Sequence, residues 1–129
     1  MRKNVYMPVF VLSMALLLAQ MGRAADGGWM AKVPVRDRER ANPYHGQAEA
    51  VAAGRRIFLD HCAQCHGDDA QGKGKKPSLR SSRVQEQATE GEIHWLLYNG
   101  NMGKGMPSWA KLPDQQLWQV ITYVKSLHE

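Results

Sequence analysis

The chain has 129 residues, 43% of which are hydrophobic, and a formal net charge of +5 at neutral pH. A chain of this length forms at most one modest globular domain, and its hydrophobic content is ordinary for such a domain. The positive charge alone would be compatible with nucleic-acid binding, so its distribution along the chain has to be considered first.

The N-terminal segment has the three parts of a secretory signal peptide. Arg2 and Lys3 form a positive head, and residues 5–19 are almost uninterruptedly apolar. Gly22 and Ala24 are small residues at the two positions that signal peptidase recognises. The apolar run is shorter than the ~20 residues of a membrane-spanning helix, although a retained membrane anchor is the alternative. We therefore predict a cleaved signal peptide over residues 1–24 and export of the remainder to the periplasm.

Cleavage would remove much of the excess positive charge. Loss of Arg2, Lys3 and Arg23 lowers the number of basic residues from 17 to 14, against 12 acidic residues, which leaves a net charge of +2. The excess positive charge was the main reason to consider nucleic-acid binding, so no nucleic-acid partner is expected.

Residues 25–44 mix glycine, proline and charged side chains without an apolar period, so they predict an extended leader or linker. From residue 45 onward the pattern is helical. A first helix is predicted over residues 47–61, because small and apolar residues recur there at three- and four-residue spacings. These residues are Val51, Gly54, Ile57 and Phe58.

Two further helices are predicted. Thr89 and Glu92 have the spacing of a capping box, and the helix that they open ends at Gly100. Pro113 opens a last helix with an apolar face. This face is made of Leu117, Val120, Ile121, Val124 and Leu127. The fold class is therefore predicted to be all-α, with a domain over residues 45–129.

The two long loops of this domain, residues 67–88 and 100–112, are rich in glycine and proline and contain few residues that could fill a core. A domain of this size has a marginal hydrophobic core even when its chain packs well. The sequence therefore predicts that another group occupies the middle of the domain.

The motif Cys-x-x-Cys-His at residues 62–66 contains both cysteines of the chain. It is compatible with a thiol redox pair, with part of a zinc site or with haem attachment. Zinc needs four ligands, and no second half-site is present. A redox pair normally opens a helix that follows a strand, whereas Cys62 follows a helical pattern. Covalent haem c attachment is the favoured interpretation, because the two sulfurs of one turn reach two vinyl groups and the next side chain reaches the iron.

Together with features elsewhere in the chain, this motif resembles the class I c-type cytochromes, the small monohaem group, over residues 47–128. The resemblance implies a cytochrome c fold of three main helices and long loops around one haem. It implies thioether anchors at Cys62 and Cys65 and a proximal ligand at His66. The resemblance also implies that the carbonyl of Pro77 accepts a hydrogen bond from the imidazole N–H of His66 that does not face the iron. It implies that Leu79 packs on the haem ring.

The string GMPSW at residues 105–109 resembles the family segment that supplies the distal ligand, which implies Met106. Met102 is the competing candidate, and Pro107 favours Met106 because it stiffens the loop directly after the ligand. Trp109 either donates a hydrogen bond to a haem propionate or caps the pocket. No ligand role is expected for His94, Trp95 or Trp118, which are taken as structural or exposed.

The resemblance also places the crossing of the first and last helices at Gly54 and Phe58 on one side and Val120 and Tyr123 on the other. The missing side chain of Gly54 would allow the close approach of the last helix.

His/Met ligation leaves no open position on the iron, so the resemblance implies a single-electron carrier rather than an enzyme. Its partners would be redox proteins, for example a periplasmic dehydrogenase and a terminal oxidase. Basic residues that follow the motif either form a solvated loop or rim the haem edge and steer the carrier to acidic partners. They are Lys73, Lys75, Lys76, Arg80 and Arg83, with Lys104 and Lys111 in the second loop.

Two alternatives remain open. A labile bond to Met106 would give a haem peroxidase or a gas-binding protein. Alternatively, residues 25–44 would tether the domain as a subunit or docking module of a larger dehydrogenase or oxidase complex.

Overall fold

A computed structural model describes residues 28–128, and the predicted signal peptide lies outside the described residues. The chain divides into two compact units, Met1–Lys32 and Val33–Glu129. In its described part the first unit forms a short 3-10 helix, Trp29–Lys32. Within residues 28–128 no helix is long and apolar enough to cross a membrane.

The second unit is all-α, as predicted. Its helices are α1 (Val35–Arg38), α2 (Ala48–His61), α3 (Ala63–His66), α4 (Glu90–Asn99) and α5 (Asp114–Lys125), with a π-helical turn at Arg83–Gln87 and a 3-10 turn at Met102–Lys104. The three longest, α2, α4 and α5, correspond to the three predicted helices. Pairing between extended segments is limited, in the described part, to two isolated bridges within loops.

Helices α2 and α5 cross at the position that the resemblance to class I c-type cytochromes implied. A Cβ atom on Gly54 would lie 2.0 Å from the carbonyl oxygen of Gln119 and 2.8 Å from Cβ of Tyr123. The rings of Phe58 and Tyr123 are 5.3 Å apart and tilted. Phe58, Leu117 and Ile121 are fully buried around this contact. Glycine is therefore required at position 54 because the backbone of α5 occupies the space of a side chain.

Helix α4 begins with the predicted capping box. The Thr89 hydroxyl accepts from the backbone N–H of Glu92 at 3.1 Å, and the Glu92 carboxylate accepts from the backbone N–H of Thr89 at 2.8 Å. Glu92 is buried, and its carboxylate also pairs with Arg38 at 2.8 Å. The cap of α4 is therefore also an attachment point for the segment that carries α1.

Residues 33–44, which we call the strap, differ from the extended linker predicted for residues 25–44. The Asn42 side chain is buried and donates to the Thr122 hydroxyl at 2.9 Å. A Cβ atom on Gly91 would lie 2.2 Å from the carbonyl oxygen of Asp37, so the strap backbone lies directly against α4. The strap lacks an apolar period because hydrogen bonds and backbone contacts, rather than an apolar stripe, attach it to the domain.

The strap also contacts a polar cluster around the buried His94, between α4 and α5. His94 is buried, and its Nε2 lies 2.7 Å from Oδ1 of Asp114 while its Nδ1 lies 3.1 Å from the Arg40 guanidinium. The His94 ring stacks on the ring of Trp118 at 4.2 Å. Arg40 can only donate, so Nδ1 accepts and Nε2 carries the hydrogen. His94 and Trp118 are thus structural, as expected, and Trp95 is half-buried.

Candidate haem-binding site

The Cys-x-x-Cys-His motif forms a helical turn that directly continues α2. The N–H of Cys62 donates to the carbonyl of Phe58 at 2.8 Å, and the N–H of His66 donates to the carbonyl of Cys62 at 2.9 Å. This geometry places Cys65 and His66 on the single turn of α3 and Cys62 at its N-cap, next to the buried crossing of α2 and α5. The motif therefore directly follows the helix whose Phe58 is fully buried at this crossing.

Neither cysteine is in a disulfide, and Cys65 is exposed whereas Cys62 is half-buried. Burial, with a smaller contribution from Cys65, raises the pKa of the Cys62 thiol to about 11. Thiol redox pairs depend instead on a thiol whose pKa is depressed. The environment of Cys62 thus does not favour the thiol redox alternative.

The two residues predicted to form the proximal contact are close together. Nδ1 of His66 lies 3.0 Å from the carbonyl oxygen of Pro77. Because a carbonyl can only accept, Nδ1 carries the hydrogen, and the lone pair of Nε2 is available to a metal. Leu79 is half-buried, and its N–H donates to the carbonyl of Ala70 at 2.8 Å.

Hydrogen bonds attach the C-terminal end of the loop over residues 67–88 to helix α5. The Lys125 ammonium donates to three backbone carbonyls of the π-helical turn region, at 2.7–3.0 Å. The Gln85 amide donates to the carbonyls of Leu79 and Val124, at 2.6 and 2.9 Å. The sequence did not predict this turn or its lysine cap. The only sequence feature that could have indicated this cap is a lysine near the end of the last helix, and such a lysine is a weak signal.

The second predicted ligand lies in the loop over residues 100–112. Met106 is half-buried, and its backbone pairs with that of Asn101 in an isolated bridge. Met102, in the 3-10 turn between them, is 72% exposed. The two methionines that the sequence left as competitors therefore differ in their surroundings.

Trp109 lies beside the end of α2, just before the motif. Its ring is 5.2 Å from that of His61, and the Lys111 ammonium lies 5.2 Å from the centre of the indole ring. The backbone N–H of Trp109 donates to the carbonyl of Leu97 at 2.7 Å. These contacts join the second loop to α4 and to the residue that precedes Cys62.

The donor set and the packing of the loops fit a haem c. Two thiols, an imidazole with a free Nε2 and a thioether are the groups that attach and ligate such a haem. In the second loop, all of which the structure describes, none of residues 100–112 is buried. In the first loop, the buried residues are limited to Gly67, Ala70 and Ala88. The protein side chains of these loops do not form a core of their own.

Residues 49–124 match the family model described as "Cytochrome C oxidase, cbb3-type, subunit III". The chain belongs to this family of c-type cytochromes. Its fold, its all-α class and the match to relatives identify it as a class I monohaem c-type cytochrome. The family binds haem c covalently, and one haem fits the single small domain.

Several relatives of this cytochrome are similar over the same region. The chain is 34% identical over 80 residues to the cbb3-type cytochrome c oxidase subunit CcoP of Rubrivivax gelatinosus. The matched residues cover 61% of this chain and 26% of that protein. It is 33% identical over 93 residues to cytochrome c550 of Pseudomonas aeruginosa, covering 67% of this chain and 61% of that protein. The chain thus spans about a quarter of the oxidase subunit and about three fifths of cytochrome c550.

Among solved structures, the cytochrome resembles cytochrome CL from the marine methylotrophic bacterium Methylophaga aminisulfidivorans MPT. The TM-score is 0.58 at 25% identity, over 67% of this chain and 58% of that one. The matched region is therefore a c-type cytochrome domain that binds one haem c.

Proposed function

We propose that this cytochrome is an exported, periplasmic single-electron carrier whose one haem c is anchored by Cys62 and Cys65 and ligated by His66 and Met106. The observation that carries the proposal is the 3.0 Å contact between Nδ1 of His66 and the carbonyl oxygen of Pro77. This contact fixes the tautomer and the orientation of the ring, and it raises the basicity of Nε2 toward iron. When bound, the haem supplies a one-electron iron couple.

The assignment of Met106 rests on its surroundings. It is half-buried and held by the bridge to Asn101, whereas the side chain of Met102 projects into solvent. Pro107 restricts the backbone directly after Met106. A thioether is a soft, neutral ligand that favours ferrous iron, so Met106 would give a higher reduction potential than a second histidine.

The signature of sulfur bound to ferric iron, a weak far-red absorption band, tests this assignment. We expect the oxidised protein to show the band, Met106→Ala to lose it, and the matched control Met102→Ala to keep it. We also expect the native protein to refuse carbon monoxide and cyanide under mild conditions. Loss of the band in Met102→Ala, or ready binding of carbon monoxide by the native protein, would overturn the proposal in favour of another ligand or of a gas-binding protein.

The carrier would meet its partners through a basic surface formed by both loops. Lys73, Lys75, Lys104 and Lys111 are exposed. The Lys76 ammonium lies 3.4 Å from the carbonyl oxygen of Lys104, so the basic segments of the two loops adjoin. Positive charge concentrated on one surface raises the association rate with acidic partners, and this effect declines as salt screens it.

The rate of reduction by an acidic redox protein should therefore fall with rising ionic strength. Lys104→Gln should lower the low-salt rate, while Arg36→Gln in the strap, with the same change in charge, should leave it nearly unchanged. A rate that is independent of ionic strength would contradict a docking role for these lysines.

A second candidate function is that of a tethered subunit or docking module of a terminal oxidase. It is favoured by the family description and by the relatives named as cbb3-type oxidase subunits. A periplasmic dehydrogenase is the other proposed partner. Affinity purification of the mature protein at low salt should recover an oxidase or a dehydrogenase if it acts as a subunit, whereas a free carrier should purify alone.

A further inference from the structure

The two loops that would supply the axial contacts contain the same local arrangement. Residues 76–80, the proximal turn, read Lys-Pro-Ser-Leu-Arg, and residues 106–110, the distal turn, read Met-Pro-Ser-Trp-Ala. Pro77 accepts from His66 in the first turn, and Met106 precedes the proline in the second. Apart from the shared Pro-Ser pair, the two sequences are unrelated, so the likeness is one of structure.

The serine of each turn makes the same pair of hydrogen bonds. Ser78 Oγ accepts from the N–H of Arg80, and Ser108 Oγ accepts from the N–H of Ala110, both at 3.2 Å. Each hydroxyl donates to the carbonyl of a residue eight or ten positions earlier, Ala70 at 3.5 Å and Tyr98 at 2.6 Å. Each serine therefore fixes the shape of its turn and also attaches it to an earlier segment.

The residue after each serine adds a backbone hydrogen bond to the same region. The N–H of Leu79 donates to the carbonyl of Ala70 at 2.8 Å, and the N–H of Trp109 donates to the carbonyl of Leu97 at 2.7 Å. Each turn is thus held at two successive residues.

A glycine lies beneath each turn, where a side chain would collide with the backbone around the proline. A Cβ atom on Gly72 would lie 2.5 Å from the carbonyl oxygen of Lys76 and 3.0 Å from the carbonyl carbon of Pro77. A Cβ atom on Gly100 would lie 2.7 Å from the nitrogen of Ser108 and 2.9 Å from the carbonyl oxygen of Met106.

Both glycines also have positive φ angles, +89° for Gly72 and +72° for Gly100. Positive φ alone does not set them apart, because Gly46 and Gly74 have φ angles of +72° and +56° and would meet nothing within 4 Å. The close approach to a turn therefore distinguishes Gly72 and Gly100 from these two glycines.

We propose that two glycine–serine pairs position the two side chains that would ligate the iron. Gly72 and Ser78 set the contact of His66 with Pro77, and Gly100 and Ser108 set the position of Met106. Each pair acts independently of the other. The proposal rests on the function proposed above. Gly72 is coupled to His66 in two ways, since its own N–H donates to the His66 carbonyl at 2.7 Å and the turn that it supports carries the Pro77 carbonyl.

The size of the displacement shows why the contact at His66 is sensitive. Ordinary contacts between heavy atoms are about 3.5–4.0 Å, so alanine at position 72 would move the proximal turn by about 1 Å. The hydrogen bond from His66 to Pro77 measures 3.0 Å. An added separation of that size takes it beyond hydrogen-bonding range.

For the distal turn the test is Gly100→Ala, compared with Gly46→Ala, which has the same φ angle and open space around it. We expect Gly100→Ala to weaken the far-red band several-fold and to lower the reduction potential, because the thioether is displaced. Gly46→Ala should change neither quantity. Equal bands in the two variants would overturn the assignment of Gly100.

For the proximal turn the test is Gly72→Ala, compared with Gly74→Ala in the same loop. Gly72→Ala should raise the reduction potential, because a histidine without the Pro77 hydrogen bond is a weaker donor to ferric iron. It should keep the far-red band, because Met106 is untouched. A potential equal to that of Gly74→Ala, or loss of the band, would contradict independent control of the two contacts.

The serine variants decide the matter if a glycine variant does not fold. Ser108→Ala should weaken the far-red band, and Ser108→Thr, which keeps the hydroxyl, should restore it; Ser78→Ala should raise the potential and leave the band intact. Unchanged spectra and potentials in both alanine variants would overturn the inference.

Met106→Ala separates the inference from the proposed function. If that variant keeps the far-red band, Met ligation itself is wrong. If it loses the band while Gly100→Ala and Ser108→Ala keep it, the carrier function stands and the positioning role of this pair is wrong.

Discussion

The half of the domain formed by α2, α4, α5 and the strap differs from the half formed by the two long loops. In the first half, Phe58, Leu117 and Ile121 are fully buried, and buried polar groups such as His94 and Asn42 have partners. In the second loop, all of it described, residues 100–112 include no buried side chain. The helical half therefore has its own core, whereas the loop half depends on the haem for one.

This difference explains how a small chain can hold a large cofactor in a defined way. The helical half presents the Cys-x-x-Cys-His turn as a hydrogen-bonded extension of α2. Hydrogen bonds rather than apolar packing shape the loops. Stability and redox properties should consequently respond to mutations in different regions. Four predictions test this separation, from the largest expected effect to the smallest.

The helix crossing should dominate stability. Phe58→Ala deletes a fully buried ring that contacts Tyr123 and should lower the free energy of unfolding by about 4 kcal/mol. The folded fraction should keep its far-red band. Denaturant titration followed by helical circular dichroism measures the loss, and Leu59→Ala, at a partly exposed neighbour, should cost far less. A band that disappears while the variant is still folded would show that the two halves are not separate.

The attachment between the halves comes next. Lys125→Met leaves three backbone carbonyls around the π-helical turn without their charged donor and should cost about 2 kcal/mol. Amide hydrogen exchange should accelerate at residues 83–88, while α2 keeps its protection. The exposed Lys75→Met is the matched control. Uniform acceleration in both halves would argue that this lysine supports the whole domain rather than the loop.

The strap should contribute to stability without affecting the haem. Asn42→Ala removes the buried hydrogen bond to Thr122 and the one that its side chain accepts from the N–H of Tyr44, at 2.9 Å each, and should cost about 1.5 kcal/mol. Proteolysis within residues 33–44 should become faster, and the spectrum and reduction potential should not change. Asn99→Ala, at an exposed amide, controls for the loss of an asparagine; an altered potential in Asn42→Ala would contradict the separation.

The smallest effect is a pH dependence that originates in the helical half. Burial lowers the pKa of His94 below its ordinary value of 6.5, although the hydrogen bond that His94 donates to Asp114 acts in the opposite direction and Arg40 adds to the lowering. In the unfolded chain His94 therefore binds a proton at a pH where it does not in the native protein. Its contribution to the free energy of unfolding is complete above about pH 6.5 and declines as the pH falls below that value.

Denaturant titrations at pH 7.5 and 5.5 measure this decline. His94→Gln should flatten it, whereas His128→Gln, at an exposed histidine, should leave it as in the wild type. A steeper decline in His94→Gln would show that the histidine gains a proton on folding, which is the opposite sign.

Much of this fold could be predicted from local sequence signals. Thr89 and Glu92 form the capping box that their spacing indicated, and Gly54 lies at the helix crossing because no side chain fits there. The strap was not predictable in the same way. Asn42 is buried through hydrogen bonds to residues about 80 positions away, and such long-range pairing leaves no local periodicity.

For the site, the sequence contained the motif, and its resemblance to the class I c-type cytochromes implied the pairing of His66 with Pro77. The structure places these two groups within hydrogen-bonding distance. The roles of Cys62, Cys65, Leu79, Met106 and Trp109 stay predictions, as does ligation of the iron by His66. The positioning arrangement around Ser78 and Ser108 was missed, although the repeated Pro-Ser pair was a signal for it. A serine that shapes a turn is recognised by its hydrogen bonds, and sequence does not show these.

Covalent attachment of haem to the turn over residues 62–66 underlies the function proposed for this protein. The protein should be matured in a host that attaches haem c, then denatured and cleaved, and the absorbance of the separated peptides recorded. We predict that haem absorbance stays with the peptide that contains Cys62 and Cys65. A colourless polypeptide whose two thiols are free or joined to each other would contradict the account.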